Sequence, residues 1–276
     1  MFTAFSQGFT SLRRHPWLFL LLIAAEAIFF TFLALLLYSF AATFMSSLQA
    51  MDAFLLAQPW MTADPSQQNL ADLNIPATDL SVMQLHNAAI SHAALALVLW
   101  GGALFVFSRA LSYALSSSIA VREPSRGLAV RLGTSLLVAA VFVAAMMYLG
   151  WTVIVGLVGN FFSPEGSAAP LYILPLLGLL ALLYLFPLAL SLCQTHPLTG
   201  IPLALLRLGF FSFFRVMGHY MAILLLVALP VLPLLFFTEH SFWMDAVLLL
   251  LALAALVYGR IVVVCLASGL IRAKKS

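Results

Sequence analysis

Charge is what this chain has least of. Only 8% of its 276 residues are charged, whereas 64% are hydrophobic. Soluble domains carry about 25% charged and about 45–50% apolar residues. A water-facing globule cannot be covered from this composition, so the surplus apolar surface has to face a lipid bilayer. The net charge of +3 is scattered singly among apolar stretches and forms no basic patch, which argues against nucleic acid as a partner.

Cysteine is nearly absent too. Cys193 and Cys265 are the only two, each in an apolar stretch near an expected cytoplasmic helix end. That pattern argues against a stabilising disulfide and against a cysteine-held zinc or iron–sulfur centre. No His-Glu-x-x-His run, Gly-x-Ser-x-Gly nucleophile, phosphate-binding loop or paired-acid motif occurs. The histidines give little more. His86 and His92 are six apart and fall on different helical faces, and His240 lies near the outer surface. His15, His196 and His219 lie near the inner one, where His196 and His219 form the one conceivable haem pair. The expectation is therefore no enzyme, no cofactor and no metal site.

Long apolar runs are what the chain does have. Crossing the hydrocarbon takes about 20 apolar residues at about 1.5 Å each. Six stretches qualify, at 17–40, 93–120, 132–158, 171–193, 219–237 and 245–270. Backbone groups left unpaired in lipid are costly, so each run should be helical. Arg13-Arg14 before the first run resembles a secretory signal, but the run is longer than a signal core and no small-residue cleavage site interrupts it. It reads as a retained first helix.

Orientation follows from the basic residues. Arg13, Arg14, Arg122, Arg126, Arg131, Arg207, Arg215, Arg272, Lys274 and Lys275 all fall in segments on one side. Asp52, Asp64, Asp72, Asp79, Glu165, Glu239 and Asp245 fall on or beside segments on the other. The positive-inside bias then puts both termini in the cytoplasm of a bacterial-type inner membrane. The outer segment 41–92 is the only large extramembrane piece and holds Pro59, Pro65 and Pro76. Its flanks at 48–57 and 80–90 could form short helices on the membrane face. It reads either as a capping loop or as a docking site for a partner on the outer side.

The inner segments 2–16, 123–131 and 201–218 each set arginines among apolar or small residues just before a span. Phe9-Thr10-Ser11-Leu12-Arg13-Arg14 and Phe210-Phe211-Ser212-Phe213-Phe214-Arg215 are loosely alike, which suggests a repeated unit of interfacial amphipathic helix and spanning helix. With Pro187 inside the fourth span, this arrangement resembles the six-helix bacterial membrane domain that accompanies some glycerophosphodiester phosphodiesterases. The similar parts are the basic, aromatic stretches at 9–17 and 204–219. The chain departs from that pattern in having no acid at 188–199. No soluble phosphodiesterase domain is present, so no catalytic residue carries over. The resemblance implies a scaffold or accessory role.

Polar groups inside the bilayer are the default place to look for function. Glu26 in the first span, Arg109 in the second and Arg260 in the sixth lie at similar distances from the inner ends of their spans. That depth match would let one carboxylate meet two guanidiniums. They read as a helix-fixing ion pair, as a site for an anionic or zwitterionic ligand, or as a coupling site for protons or ions. Ser108, Ser112 and Ser116 recur at helical spacing beside Arg109, after Gly101-Gly102. This stripe should face other helices, where small residues and hydroxyls favour close packing. Pro175, Pro187, Pro230 and Pro233 interrupt the fourth and fifth spans and should bend them.

The sequence thus predicts one all-α, polytopic domain over 1–276, with about six transmembrane helices and interfacial amphipathic helices. The preferred function is a non-enzymatic scaffold, assembly factor or accessory subunit acting through a membrane-protein partner or a homo-oligomer. The alternative is a transporter or lipid-handling protein using the Glu26, Arg109 and Arg260 site.

Overall fold

The computed structural model describes residues 2–56, 77–120, 127–162, 169–236 and 242–272. Asp64, Asp72, Glu165, Glu239, His240, Pro59, Pro65, Pro76, Arg122, Arg126, Lys274 and Lys275 lie outside the described residues. The described residues form eight α-helices and no strand: α1 (Phe2–Arg14), α2 (Pro16–Leu56), α3 (Ala77–Ala120), α4 (Leu128–Phe162), α5 (Ala169–Leu192), α6 (Ile201–Phe211), α7 (Phe213–Phe236) and α8 (Phe242–Arg272). All but α1 and α6 are long and apolar enough to cross a membrane, and each of those six covers all or nearly all of one of the expected spans. The chain is an all-α, multi-pass membrane protein.

Two compact units divide the chain. The first comprises Met1–Ile28 and Phe105–Ser276, and the second Phe29–Leu104. Both boundaries fall inside helices, in α2 and α3, rather than at a linker.

In the first unit α8 is the central helix. Val257, Ile261, Val262, Val264 and Cys265 are all buried along it. Helices α1, α5 and α7 pack against it. Gly259 permits the close approach of α7, because a Cβ there would collide with the side chain of Ile223. The first helix, expected as an interfacial amphipathic helix, is docked onto this core. Tyr258 Oη donates to the Phe5 carbonyl at 2.8 Å, and the Phe5 ring stacks on buried His219 at 5.7 Å. His219 Nδ1–H donates to the Arg215 carbonyl at 2.6 Å.

The α5–α7 connection is built from turn signals. His196 N–H donates to the Leu192 carbonyl, a 3₁₀ turn follows at Leu198–Gly200, and α6 starts with proline in its first turn. Proline fits there because its missing donor has no intrahelical partner at that position anyway. One residue, Ser212 at φ −115° and ψ 18°, separates α6 from α7. The prolines of α5 and α7 sit inside continuous helices. Ser191 Oγ donates to the Pro187 carbonyl at 2.8 Å, a back-bond one turn along the same helix.

The expected outer loop at 41–92 is mostly helix instead. Residues 41–56 continue α2, and residues 77–92 open α3. The physical reason is the absence of glycine and proline from both stretches, which are rich in alanine, leucine, methionine and glutamine. A span boundary drawn where hydropathy falls marks the edge of the lipid and not the end of the helix. With 41 and 44 residues, α2 and α3 are about 60 and 66 Å long. The hydrocarbon is about 30 Å thick, and helix tilts of up to about 40° cannot absorb the excess. Part of each helix therefore lies beyond the lipid.

A labelling experiment checks this. With both native cysteines replaced, Asp52→Cys and Leu85→Cys should react with a membrane-impermeant maleimide added on the side away from the N-terminus. Phe30→Cys and Phe107→Cys, well inside the spans, should stay silent. Silence at Asp52→Cys and Leu85→Cys would mean that both helices end within the bilayer.

Candidate functional site: a buried carboxylate between two arginines

Glu26 sits ten residues into α2, Arg109 eleven before the end of α3 and Arg260 twelve before the end of α8. These helix ends share one side, so the three side chains reach about the same depth, roughly 15–18 Å in. The structure brings them together in the first unit. Arg109 Nη2 donates to Glu26 Oε2 at 2.8 Å, and Ser112 Oγ donates to Oε1 at 2.6 Å. Arg260 Nη1 donates to the same Oε1. Glu26 is fully buried, and Arg109 and Arg260 are 8% and 6% exposed. The Arg109 guanidinium also lies 5.3 Å from the Phe105 ring centroid.

Each carboxylate oxygen therefore has a charged donor, and Oε1 has a hydroxyl as well. The cluster keeps one surplus positive charge. Two donors around it remain without a hydrogen-bond partner although buried, Arg260 Nη2 and Ser116 Oγ. Ser108 and Ser116 flank Ser112 by one helical turn on α3, and both are buried. Neither bonds to Glu26; of the serine stripe only Ser112 reaches it.

An apolar layer closes the inner side of the cluster. Leu22, Ile119, Val257, Ile261 and Cys265 pack together, joined by Leu18, Phe19 and Leu115. Below it, at the inner ends of α1, α3 and α8, a cavity of about 400 Å³ is lined by Gln7, Thr10, Arg14, His15 and Ser268. Ile119 and Cys265 also line that cavity, so it ends against the apolar layer beneath Glu26.

A second buried polar network was not legible in the sequence. Arg131, read as an inner-face charge, is 3% exposed in the first turn of α4. Its Nη1 donates to Ser117 Oγ and, at 3.4 Å, to the Ala114 carbonyl, and Nη2 donates to Ser118 Oγ at 3.1 Å. Gln194, after α5, donates from Nε2 to Ser135 Oγ at 2.8 Å and to the Leu190 carbonyl at 3.1 Å. Gln194 Oε1 lies 3.1 Å from Ser117 Oγ, which links the two groups. The guanidinium sits by the last turns of α3, where the helix dipole favours a cation. Among the described residues no acid bonds to it, and that setting offsets part of the charge. Ser117 and Ser118 beside the serine stripe were the only advance signal.

Of the conceivable haem pair, His219 is buried in α7 with its ring stacked on Phe5 and Nδ1 bonded to the Arg215 carbonyl, and His196 lies in the connection after α5. No protein family, curated protein or solved structure matches the chain.

The electrostatics order the effects of substitution. Replacing either arginine by methionine leaves a neutral pair and should cost about 1–2 kcal/mol, the scale of polar contacts between membrane helices. Glu26→Gln leaves two buried guanidiniums without a counter-ion and should cost about 3–5 kcal/mol. Unfolding in mixed detergent micelles with rising dodecyl sulfate would rank the three variants. Equal losses would mean that the cluster does not act as a charge-balanced unit.

Cys193 supplies a separate check. It is fully buried just after α5, against Leu192 and Ile201, and burial pushes its thiol up to about 12. At pH 7–9 it should stay protonated and unreactive, because the thiolate is the nucleophile. In a Cys265→Ala background, maleimide should label Cys193 only after denaturation. Rapid labelling of folded protein at pH 8 would contradict the packing around the end of α5.

Proposed function

We propose that this protein is a non-catalytic scaffold or accessory subunit of a bacterial-type inner membrane. It would bind a membrane-protein partner through the parts of α2 and α3 that outreach the lipid. The observation that carries this reading is the length of those helices, about twice what a crossing requires. Leu48 and Leu85 are 40% and 68% exposed in these prolongations, beside polar Ser46, Gln49, Asp52, Gln84 and Asn87. Apolar side chains outside the hydrocarbon, set among polar ones, suit a protein interface. The resemblance to membrane domains that accompany phosphodiesterases supports an accessory role, and both termini on the cytoplasmic side would put the prolongations outside.

A second reading has an observation of its own. The surplus positive charge around Glu26, with Arg260 Nη2 and Ser116 Oγ unpaired, would suit a transporter or lipid-handling protein that binds an anionic group there.

Purification from membranes in mild detergent separates the two. The scaffold reading expects a stoichiometric protein partner that is kept in Arg109→Met and lost in the double variant Leu48→Glu, Leu85→Glu. No such partner, with one lipid or solute held by the wild type and lost in Arg109→Met, would replace it with the second reading.

A further inference from the structure

The elbow between α6 and α7 has features that neither the buried charges nor the long helices explain. With 11 residues, α6 is about 16 Å long and too short to cross a bilayer. It packs against α5, where Tyr184 Oη donates to the Gly209 carbonyl at 3.2 Å. A Cβ on Gly209 would lie 2.8 Å from Leu185 Cδ2, so the two helices touch closely there. Past this contact they diverge into a groove of about 690 Å³, walled by Leu180, Ala181, Leu206, Phe210, Phe214 and Met217. Volumes of about 300–1,000 Å³ are usual for small-molecule sites. The one polar side-chain group on its wall, Tyr184 Oη, is already bonded to Gly209. Such a groove suits a hydrocarbon chain and not a hydrated solute.

Charge at its rim narrows the occupant further. Arg207 lies on α6 between groove-lining Leu206 and Gly209, and Arg215 follows groove-lining Phe214; both are exposed. No acidic residue occurs anywhere from 166 to 238. These two guanidiniums thus have no carboxylate on α5, α6 or α7 to pair with. Long arginine side chains reach from apolar surface to the headgroup level. Phe210, Phe211 and Phe214 are 83%, 85% and 90% exposed, apolar rings beside arginines as on a helix lying in the membrane interface. Groove, rings and cations are thus gathered on one short stretch of chain.

We propose that the α6–α7 elbow is a binding site for an anionic glycerophospholipid, with one acyl chain in the groove and the phosphate held by Arg207 and Arg215. The site is independent of the Glu26 cluster and of the scaffold reading.

The test uses the full-length protein in mild detergent, titrated with phosphatidylglycerol or with phosphatidylcholine of the same chains and read by native mass spectrometry. Wild type should keep one phosphatidylglycerol, preferred over phosphatidylcholine by at least about fivefold, the scale of one surface guanidinium on an anionic lipid. The double variant Arg207→Gln, Arg215→Gln should bind both lipids alike. Ala181→Trp, which fills the groove, should lose both lipids. Should that variant unfold, Phe214→Ala removes an exposed wall and should weaken both lipids. Inorganic phosphate added in excess should not displace the lipid, since the chain supplies the anchorage. Equal binding of the two lipids by wild type, or unchanged phosphatidylglycerol retention in the arginine variant, would overturn the proposal. Displacement by phosphate would do the same for the acyl-chain part.

Discussion

One carboxylate that must serve two guanidiniums out of water constrains the first unit more than any other contact. A lone charge at the centre of a membrane helix costs about 2.5–3.5 kcal/mol on insertion scales, and a partner offsets part of that. Glu26 meets this demand for α3 and α8 at once, because each oxygen has its own arginine. The requirement propagates outward. Gly259, next to Arg260, lets α7 press against α8. The layer of Leu22, Ile119 and Ile261 keeps the cavity at the inner face from wetting the cluster. Low dielectric strengthens each charged hydrogen bond and raises the penalty for misplacing one, so the cluster specifies a particular arrangement of α2, α3 and α8.

The Arg131 network solves a similar problem by another route. Here the compensating partner is the carbonyl end of α3 together with two serines and a glutamine, all within the first unit. Among the described residues, neutral donors and acceptors tie α4 and the end of α5 to α3. The pairing with the last turns of α3 offsets the charge of an arginine that sits 3% exposed with, among the described residues, no carboxylate bonded to it. Helix α3 is common to both networks. Its serines are small enough to admit neighbouring helices, and they donate hydrogen bonds to one network and accept them in the other.

Much of this was legible from the residues, for identifiable reasons. The six spans could be read because lipid demands continuous apolar helix over a fixed length. The meeting of Glu26, Arg109 and Arg260 could be anticipated from depth alone, since rise per residue converts sequence position into height. Depth says nothing about azimuth, so which serine would reach the carboxylate was open until the packing was known. Arg131 was illegible because an arginine four residues into a helix looks the same whether it points to water or to a neighbouring helix end. How far α2 and α3 continue past the lipid was not legible because hydropathy reports solvent, whereas helix continuity depends on backbone propensity, and the two diverge where an apolar run gives way to alanine, glutamine and serine. The role of the Glu26 cluster was not readable at either level, because a helix clasp and an anion site use the same groups.

The two units differ in what holds them. Both ion pairs and the Arg131 network lie in the first unit, whose core residues are buried along α8. In the second unit the side-chain hydrogen bonds of Thr43 and Ser46 return to carbonyls of their own helix. Such bonds satisfy the backbone locally without tying one helix to another. Within lipid, the helical backbone needs nothing more, because its groups are already paired. Beyond the lipid, water competes for those groups and leaves apolar side chains such as Leu85 uncovered, so on the proposed reading the ends of α2 and α3 are where a protein partner would stabilise the chain most.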